Sequence, residues 1–141
     1  MLIRAVVDTN VIYAGLYSNA GASHLVLRIL RAGRWTLVLS NTVCAEYEEI
    51  LKRQAPILGL SLEDVDSFLD ALCLLAERRT LATTWTPILD DPDDEAVAHL
   101  AVEAQVDYIV TYNVRHLGPV ARLGVKVIAP KDFLSLLRGQ S

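Results

Sequence analysis

The sequence is poor in cysteine, with only Cys44 and Cys73, and these two are far apart along the chain. No C-x-x-C motif is present, and no histidine lies close to either cysteine in the sequence. Structural zinc sites are built from closely spaced cysteine and histidine ligands, so this pattern argues against a zinc-binding module. Both cysteines lie in apolar stretches with helical character, where we expect them to be buried free thiols.

The chain also lacks long apolar runs and an excess of positive charge. No run approaches the roughly 20 apolar residues that span a bilayer, and residues 1–10 do not resemble a signal peptide. We therefore expect a cytoplasmic protein without a membrane partner. The net charge of −4 argues against binding nucleic acid through a basic surface. It does not exclude a protein that binds phosphate through a divalent cation, where carboxylates hold the cation.

The 141 residues, of which 52% are apolar, suit a single domain spanning 1–141. Short apolar runs predict strands at 2–7, 36–39, 107–111 and 125–129. Helical patterns occur at 23–32, 42–53, 62–76, 93–105 and from Pro130 onward, and the weak segment 77–89 has room for an edge strand at 80–83. This order predicts an α/β fold, a three-layer α/β/α sandwich around a mostly parallel sheet of four to five strands.

The first acidic candidate, Asp8, directly follows the first predicted strand. Functional sites in open α/β sheets form beyond the carboxyl ends of the strands, which favours a ligand role for Asp8. Asp is also a preferred N-cap residue, so Asp8 is equally well explained as the cap of a following helix. Glu46 borders the apolar stripe of the helix after the second strand. Taken alone, it is better explained as an ordinary solvated flank position.

The densest acidic cluster is DDPDDE at 90–95. Pro92 suits the first position of a helix and Asp91 its N-cap, and acids in the first turn interact favourably with the helix dipole. Helix angles place Glu95 away from the apolar face and leave Asp93 and Asp94 beside it. The angles do not choose between these two residues.

Carboxylates from three separate elements at one end of a sheet would not stay ionised together without a cation. Hard oxygen ligands of this kind suit Mg²⁺ or Mn²⁺. Such centres commonly serve phosphoryl transfer or phosphodiester hydrolysis.

Four motifs, in this order, resemble the PIN-domain ribonucleases, and most of all the VapC-like toxin components of toxin–antitoxin pairs. They are VVDTNV at 6–11, the Ser40–Glu46 segment, DPDDEAVAHLA at 91–101 and DYIVTYNVRHL at 107–117. The resemblance implies hydrolysis of RNA phosphodiester bonds with Mg²⁺ or Mn²⁺ as cofactor. It also implies an antitoxin protein as partner and a homodimer.

The resemblance also implies which residues form the site. Asp8 and Glu46 match the first two acidic positions of the family. Asp94, rather than Asp93, matches the third, because the family pattern D-x-x-x-A-x-x-A continues here with Ala98 and Ala101. All three would be metal ligands and catalytic residues.

At the fourth acidic position of the family the chain departs from the pattern, with Asn113 in place of an acid. An amide orients water but adds no negative charge. Thr111 and Arg115 would bind substrate, Thr111 beside the site and Arg115 at a neighbouring phosphate. Taken alone, Arg115 is better explained as solvated surface charge. The departure keeps a second hypothesis open, a catalytically weak or inactive PIN fold that binds RNA or protein. A phosphatase of the haloacid dehalogenase type is disfavoured, because its second acid is replaced by Asn10.

Overall fold

A computed structural model describes residues 1–139 and contains one five-stranded sheet in which all paired strands are parallel. The strands are β1 Arg4–Val7, β2 Thr36–Leu39, β3 Glu77–Arg78, β4 Tyr108–Val110 and β5 Lys126–Ile128. Their order across the sheet is β3-β2-β1-β4-β5. β1 is thus central, and its apolar side chains Ala5, Val6 and Val7 are fully buried. The predicted α/β fold with a parallel sheet is confirmed.

Helices cover both faces of the sheet. They are α1 Thr9–Tyr17, α2 Ala22–Arg31, α3 Asn41–Arg53, α4 Ala55–Leu58, α5 Leu62–Leu75, α6 Glu95–Ala104 and α7 Pro130–Arg138. Crossovers between parallel strands are right-handed. The connections that run from β1 out to β3 therefore place their helices on one face, where α1 packs on α2 and α3. The return connection to β4 places α6 on the other face, against β1, β2 and β4. None of the helices within residues 1–139 is long and apolar enough to cross a membrane.

Three details of the sequence prediction are wrong. Helix α1 was not predicted, because its residues are almost all apolar or small and show no polar face. The edge strand expected at 80–83 lies instead at β3, and the backbone amides of Ala82 and Thr83 donate to the carboxylate of Glu103. Cys44 and Cys73 are free as expected but only partly buried, on α3 and α5 with their sulphur atoms 3.9 Å apart.

The register of the sheet brings two candidate residues side by side. Val7 pairs with Val110, so the residues that follow β1 and β4, Asp8 and Thr111, emerge at the same edge. The backbone amide of Asp8 donates to the carbonyl of Val110 at 2.9 Å. The hydroxyl of Tyr47 on α3 donates to the carbonyl of Val7 and ties this end of β1 to the helix layer.

Candidate metal centre

A cleft of about 330 Å³ opens at the carboxyl ends of β1 and β4. Six of its eleven lining residues are acidic: Asp8, Glu46, Glu49, Asp91, Asp93 and Asp94. Asn113 lines the cleft as well. The structure thus brings together all four residues that the sequence suggested as catalytic. They come from the end of β1, from α3, from the turn before α6 and from the turn after β4.

Asp8 is held in a fixed orientation at the floor of the cleft. Its side chain is 7% exposed, and its two carboxylate oxygens accept hydrogen bonds from different groups. Oδ1 accepts from the backbone amide of Thr9 at 2.8 Å, and Oδ2 accepts from the hydroxyl of Thr111 at 2.8 Å. Burial raises the pKa of Asp8, while these two hydrogen bonds oppose the rise. Asp8 therefore caps α1 and also faces the cleft, so the two interpretations of this residue are compatible.

Thr111 lies behind Asp8 and not at the surface of the cleft. Its side chain is fully buried, and its Oγ1 accepts a hydrogen bond from the backbone amide of Asn113 at 2.9 Å. Its hydroxyl joins Asp8 to the turn that carries Asn113. The expected contact of Thr111 with substrate stays a prediction.

Burial distinguishes the two aspartates between which helix angles could not choose. Asp93 is exposed, and its backbone amide is bound by the side chain of Asp91 at 3.0 Å. Asp94 is only 6% exposed, and its Oδ2 is buried without a hydrogen-bond partner among residues 1–139. A buried carboxylate oxygen without a partner is costly, and native proteins rarely leave one unexplained. A bound cation would satisfy this atom.

Glu95 takes no part in the cleft. Residues Pro92–Asp94 form a short 3₁₀ turn, after which α6 begins at Glu95. The carboxylate of Glu95 accepts hydrogen bonds from the indole of Trp85 at 2.6 Å and from the amides of Leu89 at 2.7 Å and Ile88 at 3.1 Å. Glu95 therefore anchors the preceding irregular segment to α6, which places the 3₁₀ turn at the cleft.

The electrostatics of the cleft disfavour full ionisation. Burial, followed by the charges of the neighbouring carboxylates, raises the pKa of Glu46 to about 7. The same two causes raise the pKa of Asp94 to about 6. At neutral pH the cluster therefore retains protons that isolated carboxylates would have lost. A bound divalent cation would favour the ionised carboxylates and so lower their pKa values.

The donor set fits a hard cation such as Mg²⁺ or Mn²⁺. Among residues 1–139, no group of three or more His, Cys, Asp and Glu side chains is arranged closely enough to hold a metal on its own. Protein sites for Mg²⁺ commonly supply one or two carboxylates, and water and substrate phosphate complete the shell. Asp8, with its fixed carboxylate, and Asp94, with its free oxygen, suit this limited contribution.

Two charged residues of the cleft, Glu49 and Arg53, were not predicted from the sequence. Glu49 is exposed and also lines the cleft. The sequence does contain a pattern that predicts them, because Glu49 and Arg53 follow Glu46 at helical spacing and so lie on the same face of α3. Arg115, in contrast, is exposed and does not line the cleft. Its predicted contact with a substrate phosphate stays a prediction.

Comparison with solved structures finds a similar fold in VapBC2 from Rickettsia felis, whose crystal structure contains a DNA fragment from the promoter. The match covers 90% of this chain and 98% of the other, with a TM-score of 0.62 and 14% sequence identity. At this identity the likeness shows a shared fold and no more. A comparison with curated proteins found no match.

The sequence profile of the PIN domain matches residues 4–115, which is most of the chain. The matched span includes all the acidic residues of the cleft. The chain therefore belongs to the PIN domain family.

Proposed function

We propose that the chain is a Mg²⁺- or Mn²⁺-dependent endoribonuclease that acts in the cytoplasm as the toxin of a toxin–antitoxin pair. The observation that carries this proposal is the unpaired, buried Oδ2 of Asp94 within a cleft lined by six acids. Carboxylates whose pKa values are raised by burial and by one another are suited to a divalent cation, which favours their ionised forms. Membership of the PIN domain family, a nuclease fold, supports phosphodiester hydrolysis as the reaction.

In this proposal Asp8 and Asp94 hold the cation, and Glu46 lies beside them. When bound, the cation neutralises charge on the phosphate and lowers the pKa of water, as in other metal-dependent hydrolases. Thr111 keeps the carboxylate of Asp8 turned toward the cleft through its 2.8 Å hydrogen bond. No protein group within residues 1–139 competes for Oδ2 of Asp94.

Glu46 and Asn113 would act on the water and the phosphate. The pKa of Glu46 is raised to about 7 in the cation-free cleft. A bound cation would lower this pKa, so the ionised carboxylate of Glu46 would be available to accept a proton from an attacking water. The amide of Asn113 would donate a hydrogen bond to a phosphate oxygen or to that water, without adding charge.

The test is a cleavage assay on a mixed pool of tRNA, rRNA and mRNA with Mg²⁺ or Mn²⁺. We expect cleavage by the wild type, none in excess EDTA, and none by Asp8→Asn in the presence of either cation. In Asp8→Asn the amide oxygen can still accept from the backbone N–H of Thr9, and the amide nitrogen can donate to Oγ1 of Thr111. The fold should therefore be preserved, which circular dichroism can verify. Cleavage that persists in EDTA and in Asp8→Asn would overturn the proposed mechanism.

The second candidate is a PIN fold that binds RNA or protein without cleaving it. It is favoured by one observation, the amide of Asn113 where many family members carry an acid. Under this hypothesis the wild type retains labelled RNA in a filter-binding assay but releases no fragments from any RNA of the pool. The same experiment therefore separates the two candidates.

The antitoxin part of the proposal is supported by the similarity to VapBC2 and by a second groove. This groove has a volume of about 350 Å³ and lies between α1–α2 and α5. Its lining is mainly apolar, with Leu27, Phe68 and Leu72, and it also carries Arg28 and Arg31. An apolar segment with acidic flanks would complement it. We also propose that the protein forms a homodimer.

A further inference from the structure

The acidic cleft continues along the α1–α3 interface into a second, shallower depression of about 380 Å³. The two are contiguous because Thr9, Asn10 and Ile50 line both of them. The second depression adds Tyr13 from α1 and Gln54 from the end of α3. Together they form one groove that leads from the carboxylates to the end of α3, which we call the α1–α3 groove.

Arg53 is the single cation that the described residues place in the lining of the acidic cleft. It lies two turns of α3 beyond Glu46, about 10 Å along the helix axis. Glu49, four residues earlier, is well spaced for an ion pair with it. Within residues 1–139, however, Arg53 forms neither an ion pair nor a hydrogen bond. Its guanidinium is therefore available to a ligand in the groove.

Tyr13 offers a flat apolar surface in the same groove. It is partly buried, and its ring stacks on that of Tyr17 with centroids 5.9 Å apart and an angle of 23° between the planes. This contact holds the ring in place before any ligand arrives. The side-chain amide of Gln54 has no hydrogen-bond partner among residues 1–139. The guanidinium of Arg53, the ring of Tyr13 and the amide of Gln54 thus lie along one groove. They are suited, in that order, to the phosphate, the base and the base edge of a nucleotide.

We propose that the α1–α3 groove is a nucleotide subsite for single-stranded RNA, in which Arg53 binds a phosphate beyond the scissile one and Tyr13 stacks on the adjoining base. This inference rests on the proposed ribonuclease function and adds the path of the strand. The groove should be occupied by the RNA substrate itself. It is continuous with the acidic cleft, and the guanidinium of Arg53 lies beyond the carboxylates of that cleft. A stacked base at Tyr13 must be unpaired, so the subsite selects loops and single strands over duplex.

The experiment compares Arg53→Gln with Arg138→Gln, a matched substitution at an exposed position on α7. The substrate is the RNA that the wild type cleaves most readily, with its cleavage site in a loop. For Arg53→Gln we expect KM to rise about tenfold or more, as for the loss of a charged hydrogen bond, with kcat unchanged. The salt dependence of kcat/KM should weaken, with a slope lower by about 0.7. Arg138→Gln should behave as the wild type does.

A second pair of variants tests the aromatic ring. Tyr13→Leu should raise KM by about tenfold through the loss of stacking, and Tyr13→Phe should restore it. The same cleavage site placed in a fully paired helix should be cut poorly by the wild type. If Arg53→Gln and Tyr13→Leu keep the wild-type KM, or if duplex is cut as well as the loop, the subsite is wrong and the ribonuclease proposal stands. If the wild type cleaves no RNA, both fail together.

Discussion

Asp94→Asn is expected to lower the rate of RNA cleavage by about 10²–10⁴-fold, the range over which removal of an essential catalytic group acts. The substitution keeps the volume of the side chain but removes its charge and replaces one oxygen by an N–H donor. The substitution leaves one oxygen on a side chain whose buried Oδ2 has no hydrogen-bond partner among residues 1–139, and which holds the cation in the proposed function. Because the loss concerns the transition state, kcat should fall while KM changes little. Single-turnover cleavage of a labelled RNA measures it.

Asp93→Asn is the matched control for this experiment. It makes the same change of charge one residue earlier, at an exposed position of the same turn. We expect its cleavage rate to stay within about tenfold of the wild type, since a surface charge near a site contributes only through screened interactions. Equal losses in the two variants would mean that total negative charge matters and the position of Asp94 does not.

The second large effect concerns stability without a cation. Folding raises the pKa of Glu46 to about 7 and that of Asp94 to about 6. Groups of this kind stabilise the folded state fully below their unfolded pKa, near 4, and lose that contribution as pH rises through the folded pKa. The protein in EDTA should therefore become less stable between about pH 4.5 and 7.5. In Asp94→Asn this fall in the free energy of unfolding should be smaller by about 1–3 kcal/mol. In Glu46→Gln the difference should be smaller still, because Glu46 is partly exposed and its charge is screened by solvent.

Urea denaturation at pH 5 and pH 7.5 in EDTA measures this effect, with Asp70→Asn on the exposed face of α5 as the control. At pH 7.5 we expect Asp94→Asn to be more stable than the wild type, and at pH 5 the difference should shrink. Saturating Mn²⁺ should restore the stability that the wild type loses at pH 7.5. A wild type whose unfolding free energy rises between the two pH values in EDTA would contradict the assignment of raised pKa values to this cleft.

The parallel sheet and most helices were predictable because each leaves a side-chain pattern. The strand at Thr36–Leu39 was predicted with its observed limits, and the observed β1, β4 and β5 are each two residues shorter than predicted. α1 escaped prediction because it packs on several neighbours and has no solvated face that would mark a period of 3.6. β3 escaped because two residues suffice for its backbone pairing with β2 and impose no alternation.

The site was predictable to a different extent. Asp8 followed from the rule that sites form at the carboxyl ends of strands. The choice between Asp93 and Asp94 did not follow from helix angles, because Pro92–Asp94 form a 3₁₀ turn and not a continuous α-helix. Arg53 was not predicted, because the clear helical pattern in the sequence of α3 is that of its apolar face. The place of Thr111 behind Asp8 was not predictable, because its position at the end of the neighbouring strand does not say which side of Asp8 it occupies.

The most direct test of the central claim, a cation held by Asp94 in this cleft, is the thermal stability of three proteins titrated with Mn²⁺ at pH 7.5. The wild type and Asp93→Asn should both be stabilised, by about 2.7 kcal/mol when Mn²⁺ exceeds its Kd a hundredfold. Asp94→Asn should show no specific stabilisation at the same concentrations. If all three proteins respond equally, or if none responds, the carboxylates of this cleft do not form the proposed metal centre.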